Sequence, residues 1–191
     1  MKQFEEIKKE ILERAHNARA CTIQYKRAYQ SENLETLCNV IKDNFWWCCR
    51  NNVLDGELID KYKKIFSDNK IYHNVSIKSG FLLASGNSTV EASGNSTVKA
   101  YDNSTVKASG NSTVKASGNS TVQASGNSTV EAYDNSTVQA YGNSTVQAYD
   151  NSYINCRSTI ECVLKDNSIV RKWDTNTIQY VSDNLKFEKK Y

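Results

Sequence analysis

Over roughly the first 70 residues apolar side chains recur at three- and four-residue spacing; beyond them they alternate within an eight-residue repeat. Phe4, Ile7, Ile11, Ala15 and Ala18 predict an amphipathic helix running to about Ala28. Ser31 reads as the N-cap of a second helix, with Leu34, Leu37, Val40, Ile41 and Phe45 on one face. Asn51 and Asn52 interrupt that pattern. A third helix follows over about 56–67, carrying Leu58, Ile59, Tyr62, Ile65 and Phe66. Residues 1–72 are therefore expected to form a small N-terminal helical bundle that caps its neighbour.

Residues 73–191 are expected to form a second domain of a different kind. Between Ala84 and Ser152 the phrase Ala-(Ser/Tyr)-(Gly/Asp)-Asn-Ser-Thr-Val-(Glu/Lys/Gln) repeats, its valines at 90, 98, 106, 114, 122, 130, 138 and 146. A short fixed period means that each unit buries its apolar atoms against a copy of itself, which is a β-solenoid, or β-helix. The residue after each valine is Glu91, Lys99, Lys107, Lys115, Gln123, Glu131, Gln139 or Gln147. Charges are not buried in repeated array, so Val, Ala and the Ser that precedes Thr face inward and Thr, the variable residue and Ser/Tyr face outward. The Gly-Asn or Asp-Asn pair makes the corner, since Gly, Asn and Asp enter left-handed backbone most cheaply. Stacked asparagines are expected to hydrogen-bond as a ladder.

The tyrosines set the number of octads per coil. With two, Tyr101, Tyr133 and Tyr149 share a face with Ser117 and Tyr141 lies opposite; with three, they scatter. Two per coil is the reading adopted, giving sixteen-residue coils stacked at about 4.8 Å. The fold class is thus α+β, a helical bundle followed by a β-solenoid of eight-residue repeats. After Ser152 the pattern decays. Ser158 to Cys162 matches the repeat two residues early, which places Cys156 and Cys162 at the alanine position, and Thr177-Ile178 returns to register. The charged segment Leu185 to Tyr191 is expected to stop further stacking.

Charge and chemistry narrow the function classes. The 24 basic and 21 acidic residues are intermixed, leaving +3 overall, so strong standalone nucleic-acid binding is not expected. Met1 to Ile11 is charged and unlike a secretion signal, and no apolar run reaches membrane-spanning length. The expected location is the cytoplasm, with no membrane partner and six reduced cysteines packing as small hydrophobes. His16 and His73 stand apart from each other and from any nucleophile pattern, and Cys48-Cys49 and Cys156/Cys162 lack zinc-knuckle spacing. No enzyme activity, cofactor or metal is expected.

The octads, such as Tyr133 to Ala140, resemble those of the octapeptide-repeat β-solenoid proteins of gut Bacteroidetes and their phages and mobile elements. The resemblance implies a solenoid behind a short helical part and a phage setting; it implies no catalytic residue. The expected function is docking to a macromolecule, with a host protein such as an RNA-guided nuclease, or a ribonucleoprotein, as partner and inhibition of a defence system as outcome. Candidate contacts are Tyr101, Tyr133, Tyr141 and Tyr149, flanked by Lys99, Lys107 and Lys115, because aromatic side chains supply rigid contact area. Trp46 and Trp47 occupy different faces of a helix, one reading being a seal at the domain junction and the other an anchor for the partner. A virion fibre or self-assembling filament is the alternative. Ice binding through stacked Thr is disfavoured, because Glu, Lys or Gln stands about 6.8 Å away along the strand. Oligomeric state is not set by these residues. Substitution of Lys115 by Glu is expected to be almost neutral, and of Val114 by Asp severe.

Overall fold

The computed structural model describes residues 2–181, so the expected charged cap at Leu185 to Tyr191 lies outside the described residues. The chain divides between His73 and Asn74 into two compact units, one residue beyond the boundary read from the sequence. The extra residue belongs to a short strand whose His73 Nδ1 lies 2.9 Å from Asp60 Oδ2.

The first unit contains α1 (Lys2–Asn17), α2 (Thr22–Tyr29), α3 (Leu34–Asp43), α4 (Phe45–Arg50), α5 (Gly56–Lys61), α6 (Lys63–Asp68) and β1 (Ile71–His73). Each of the three expected helices is divided in two. Arg19, at φ 56, closes α1, while Asn44 and Tyr62 leave helical geometry at φ −119 and −116. These breaks turn the apolar faces inward, so that Leu37, Phe45, Leu58 and Phe66 are all fully buried. The cap of α3 is Asn33, not Ser31: Asn33 Oδ1 accepts from Thr36 N–H at 2.9 Å, and Thr36 Oγ1 accepts from Asn33 N–H at 3.3 Å. Ser31 instead closes α2 by donating to the Arg27 carbonyl at 3.1 Å. Asp55 caps α5 by accepting from Leu58 N–H at 2.8 Å, and its other oxygen takes the Arg14 guanidinium at 2.6 Å. One carboxylate thereby ties α1 to α5.

The second unit is a β-solenoid of about six coils. Its strands are β2 (Ile77–Ala84), β3 (Thr89–Ala100), β4 (Thr105–Ala108), β5 (Thr113–Ala116), β6 (Thr121–Ala124), β7 (Thr129–Ala132) and β8 (Thr137–Ala140). They continue with β9 (Thr145–Ala148), β10 (Tyr153–Cys156), β11 (Glu161–Leu164), β12 (Ile169–Lys172) and β13 (Thr177–Tyr180). Parallel pairing joins Val90 to Val106, Val98 to Val114 and Val114 to Val130, a constant step of sixteen residues. Two octads therefore make one coil. One face stacks β2, the second half of β3, β5, β7, β9 and β11; the other stacks the first half of β3, β4, β6, β8, β10 and β12. Leu82 and Ala84 sit beside Val98 and Ala100, so the stack begins in β2, ahead of the first full octad.

The octad valines and alanines are 0–2 % exposed, as befits the inner faces of a closed narrow tube. At each corner the Gly or Asp has positive φ, for instance 69 at Gly110 and 56 at Asp134, which Gly adopts freely and Asp more readily than most residues. Asn103 donates to Asn87 and Asn119 to Asn103, both at 3.3 Å, along one ladder, and Asn111 and Asn127 belong to its counterpart on the other corner. The Asp variant adds a second clip: the Asp134 carboxylate accepts from Gly118 N–H at 2.9 Å, and the Asp102 carboxylate from Gly86 N–H at 3.1 Å. A corner N–H that points away from its own coil is thereby satisfied by the next one.

The end of the stack departs from expectation twice. Cys156 occupies an alanine position, beside Ala140, but Cys162 pairs with Val146 and so occupies a valine position. The sixteen-residue step survives because residues between Cys156 and Glu161 turn the corner without shortening it. Strand β13 does not resume the parallel stack either. It runs antiparallel to β12, with Ile178 opposite Arg171, and its residues are exposed.

Two substitution pairs test this core. Val114→Asp places a carboxylate where no water reaches and should cost at least about 4 kcal/mol, whereas Lys107→Gln on the outer surface should stay within about 0.5 kcal/mol. Equal losses on denaturant unfolding would reverse the inner and outer faces. The second pair concerns inward serines. Ser112 Oγ donates to the Ser109 carbonyl at 2.6 Å, while the buried Oγ of Ser120 has no partner. Ser112→Ala should cost about 1 kcal/mol and Ser120→Ala should be neutral or stabilising; the same measurement separates them.

Candidate functional site

Sixteen-residue stacking lines up every outward position with its counterparts, so the outer faces are built of columns. On the face of β5, β7 and β9 the column after valine reads Lys99, Lys115, Glu131, Gln147. The neighbouring column, at the start of each corner, reads Tyr101, Ser117, Tyr133, Tyr149, Lys165, each N–H bonding to the coil below. The two columns are knitted together. Lys99 Nζ donates to Ser117 Oγ at 2.8 Å, and Lys115 Nζ pairs with Glu131 Oε2 at 2.8 Å. Tyr133 OH donates to the same Glu131 oxygen at 2.6 Å, and Tyr149 OH donates to Gln147 Oε1 at 2.8 Å.

The rings of Tyr133 and Tyr149 lie 4.7 Å apart and 7° from parallel, which is the coil spacing expressed in side chains. Lys165 Nζ caps the stack 5.0 Å from the Tyr149 ring centre. The result is a strip of aromatic surface whose hydroxyls are anchored and whose cations stand at its edges. Burial opposes ionisation of Glu131, but hydrogen bonds from Lys115 and Tyr133, with the Lys115 and Lys99 charges, outweigh it and lower its pKa. A carboxylate held below its unfolded value contributes stability above that value and loses the contribution as pH falls through the folded one.

The opposite face carries Lys107, whose Nζ lies 3.4 Å from Glu91 Oε1, and Tyr141, 46 % exposed. Ser93, Ser109 and Ser125 leave a groove of about 510 Å³ there, with Lys107 and Gln123 along one side and Tyr141 at its end. Farther along, the Arg157 guanidinium packs 4.9 Å from the Trp173 ring centre. The structure thus unites Tyr133, Tyr149, Lys99 and Lys115, keeps Tyr101 beyond Ser117 on the same face, and separates Tyr141 and Lys107 from them. Lys165, Arg157 and Trp173 were missed by sequence reading, although steps of sixteen from Tyr149 and Tyr141 reach all three.

In the helical unit, Trp46 packs edge-on to Phe45 with centroids 5.7 Å apart. Trp47 lines a 250 Å³ apolar cavity with Ala15, Ala28, Ile41 and Val53. Both rings are half-buried. His16 lies edge-on to Tyr25 at 6.3 Å. Among the described residues no group of three or more His, Cys, Asp or Glu is placed to hold a metal ion, and no helix is long and apolar enough to cross a membrane. Comparison with protein-family models, with curated proteins and with solved structures finds no match.

The pairing of Lys115 with Glu131, at 27 % and 22 % side-chain exposure, alters one expectation. Lys115→Glu is now expected to destabilise rather than to be almost neutral, because it sets a second carboxylate beside Glu131. In an NMR titration the Glu131 carboxyl should ionise below its ordinary value of 4.5, and Lys115→Met should move it upward. A wild-type midpoint at or above that value removes the charge network from the face.

Proposed function

We propose that this protein is a non-enzymatic binding module that presses the Tyr133/Tyr149 strip of its solenoid against a host protein. The observation that carries the reading is the preordered stack itself. Aromatic rings fixed by neighbours in their own sheet lose little conformational freedom on binding. Their hydroxyl protons are already engaged, and Lys99 and Lys165 set positive charge at the edges of the strip, the Lys115 charge being balanced by Glu131. Such a surface suits a partner that offers apolar area beside carboxylates or phosphates. The resemblance of the octads to phage and mobile-element solenoid proteins supports a target in host defence, an RNA-guided nuclease or its ribonucleoprotein complex, acted on in the host cytoplasm. Assembly into a fibre or filament is the weaker reading, because inward-pointing Lys172 and antiparallel β13 both interrupt continuation of the parallel stack.

The test uses the repeat's own alternative. Ser117 already occupies the tyrosine column, so Tyr133→Ser and Tyr149→Ser together place there a residue that the column accepts. Affinity capture from host lysate should recover a specific partner with the wild-type chain and lose it at least about tenfold with the double variant, a loss of about 1.4 kcal/mol or more. Tyr141→Ser, on the other face, should leave capture unchanged. Recovery of no specific partner, or equal loss from both faces, overturns the proposal. Sedimentation as long polymers would transfer it to the fibre reading.

A further inference from the structure

Two cysteines meet inside the last coil from opposite faces. Cys156 closes β10 where the preceding coil has Ala140, Cys162 lies on β11 where the preceding coil has Val146, and their Sγ atoms are 3.5 Å apart. A third side chain joins them. Lys172 stacks on Cys156 and points into the tube, 6 % exposed. Its ammonium donates to the carbonyls of Ile160 at 2.6 Å and Arg157 at 3.4 Å, and lies 3.7 Å from Cys162 Sγ. Elsewhere the buried side chains of the tube are uncharged. Two thiols with a buried cation between two carbonyls and a sulfur is a chemical cluster, not more of the same packing.

We propose that Cys156 and Cys162 form a redox-modifiable dithiol site, which a peroxide oxidises to a disulfide joining the two faces of the last coil, with Lys172 as its positioning residue. The hydrogen bond from Cys162 and the Lys172 charge bring the Cys156 thiol down to about 7, against the opposing pull of burial. Cys162 keeps the shared proton and is pushed upward. Cys156 is itself fully buried, so a small oxidant must reach it past the partly exposed Cys162, whose sulfur lies 3.5 Å away. The Cys156 thiolate attacks one peroxide oxygen, the O–O bond breaks, and the departing hydroxide takes a proton to leave as water, giving a sulfenic acid. Cys162 sulfur then attacks Cys156 Sγ; the S–OH bond breaks, and hydroxide leaves as water with the Cys162 proton. Two thiols and one hydrogen peroxide become one disulfide and two waters. Closing the bond needs the sulfurs to approach from 3.5 Å to about 2.05 Å.

The other cysteines serve as internal references. Cys21 is exposed, while burial pushes Cys38 up to about 11 and Cys48 up to about 12. The experiment treats the full reduced chain with hydrogen peroxide at neutral pH, alkylates what remains and maps the peptides by mass. The expected result is a Cys156–Cys162 disulfide, reversed by dithiothreitol, appearing about tenfold faster than oxidation of Cys21, with Cys38 and Cys48 still alkylatable after unfolding. The oxidised chain should melt about 5 °C higher. The rate should rise through a pH of about 7, and Lys172→Met should move that rise to higher pH while the opposing Asp174 charge stays in place. Cys162→Ser should stop the reaction at a sulfenic acid on Cys156 that a dimedone reagent traps. Recovery of both thiols intact after Cys21 has been oxidised overturns the site, and an unchanged pH profile in Lys172→Met overturns the role of the lysine.

Discussion

The solenoid rests on a single repeated backbone contact, the N–H of one residue bonding to the carbonyl seventeen positions earlier, as in Thr105 to Ser88, Ser109 to Ala92 and Asn111 to Gly94. That parallel step brings each position over its own counterpart one coil away. Valine therefore packs on valine and alanine on alanine through the octads, all of them buried in the middle of the tube. The same step turns a corner asparagine into a ladder and a corner aspartate into a clip for the neighbouring coil. Because the bonds are identical in every coil, the outside is ruled with the same accuracy as the inside.

Like-on-like stacking has no stop of its own, since an open coil edge always offers backbone donors and acceptors to another. Here the interruption is chemical. The alanine column, unbroken to Ala148, gives way to Cys156 and Leu164 and then to Lys172, whose ammonium is held inside by carbonyls of the last corner. Strand β13 then reverses direction and lays its exposed side chains along β12. The residues that end the repeat are thus also those with unusual chemistry, and the cluster of Cys156, Cys162 and Lys172 exists because termination admits side chains that the body of the tube excludes.

In a chain this regular, function resides in the departures from the repeat. Serine is the ordinary occupant of the outward corner column. Tyr133 and Tyr149 replace it in consecutive coils of one face, so their rings stack at the coil spacing; Tyr141 replaces it alone on the other and borders a groove. Charged departures follow the same logic. Lys115 and Glu131 are harmless variations in separate octads until stacking sets them 2.8 Å apart. The helical unit adds no comparable array: Trp47 is spent on lining its own cavity and Trp46 on Phe45.

By itself the sequence determined the solenoid, its inward valines and alanines, the left-handed corners and two octads per coil, since an eight-residue period with repeated charge permits one arrangement of inside and outside. It also determined which tyrosines share a face, because stacking is a matter of counting. Only tertiary structure decided where the helices break, since Asn44 and Tyr62 are ordinary helix residues until packing turns the chain. Local resemblance to the octad misplaced Cys162 and misdirected Thr177-Ile178: pairing follows backbone register to the neighbouring coil, and that register tolerates a corner without repeat residues. The salt bridge of Lys115 and the Cys156–Cys162–Lys172 cluster were beyond sequence reading because each depends on distances between coils or across the tube, whereas the cap at Asn33 is a local contact with Thr36 that the neighbouring Ser31 obscured.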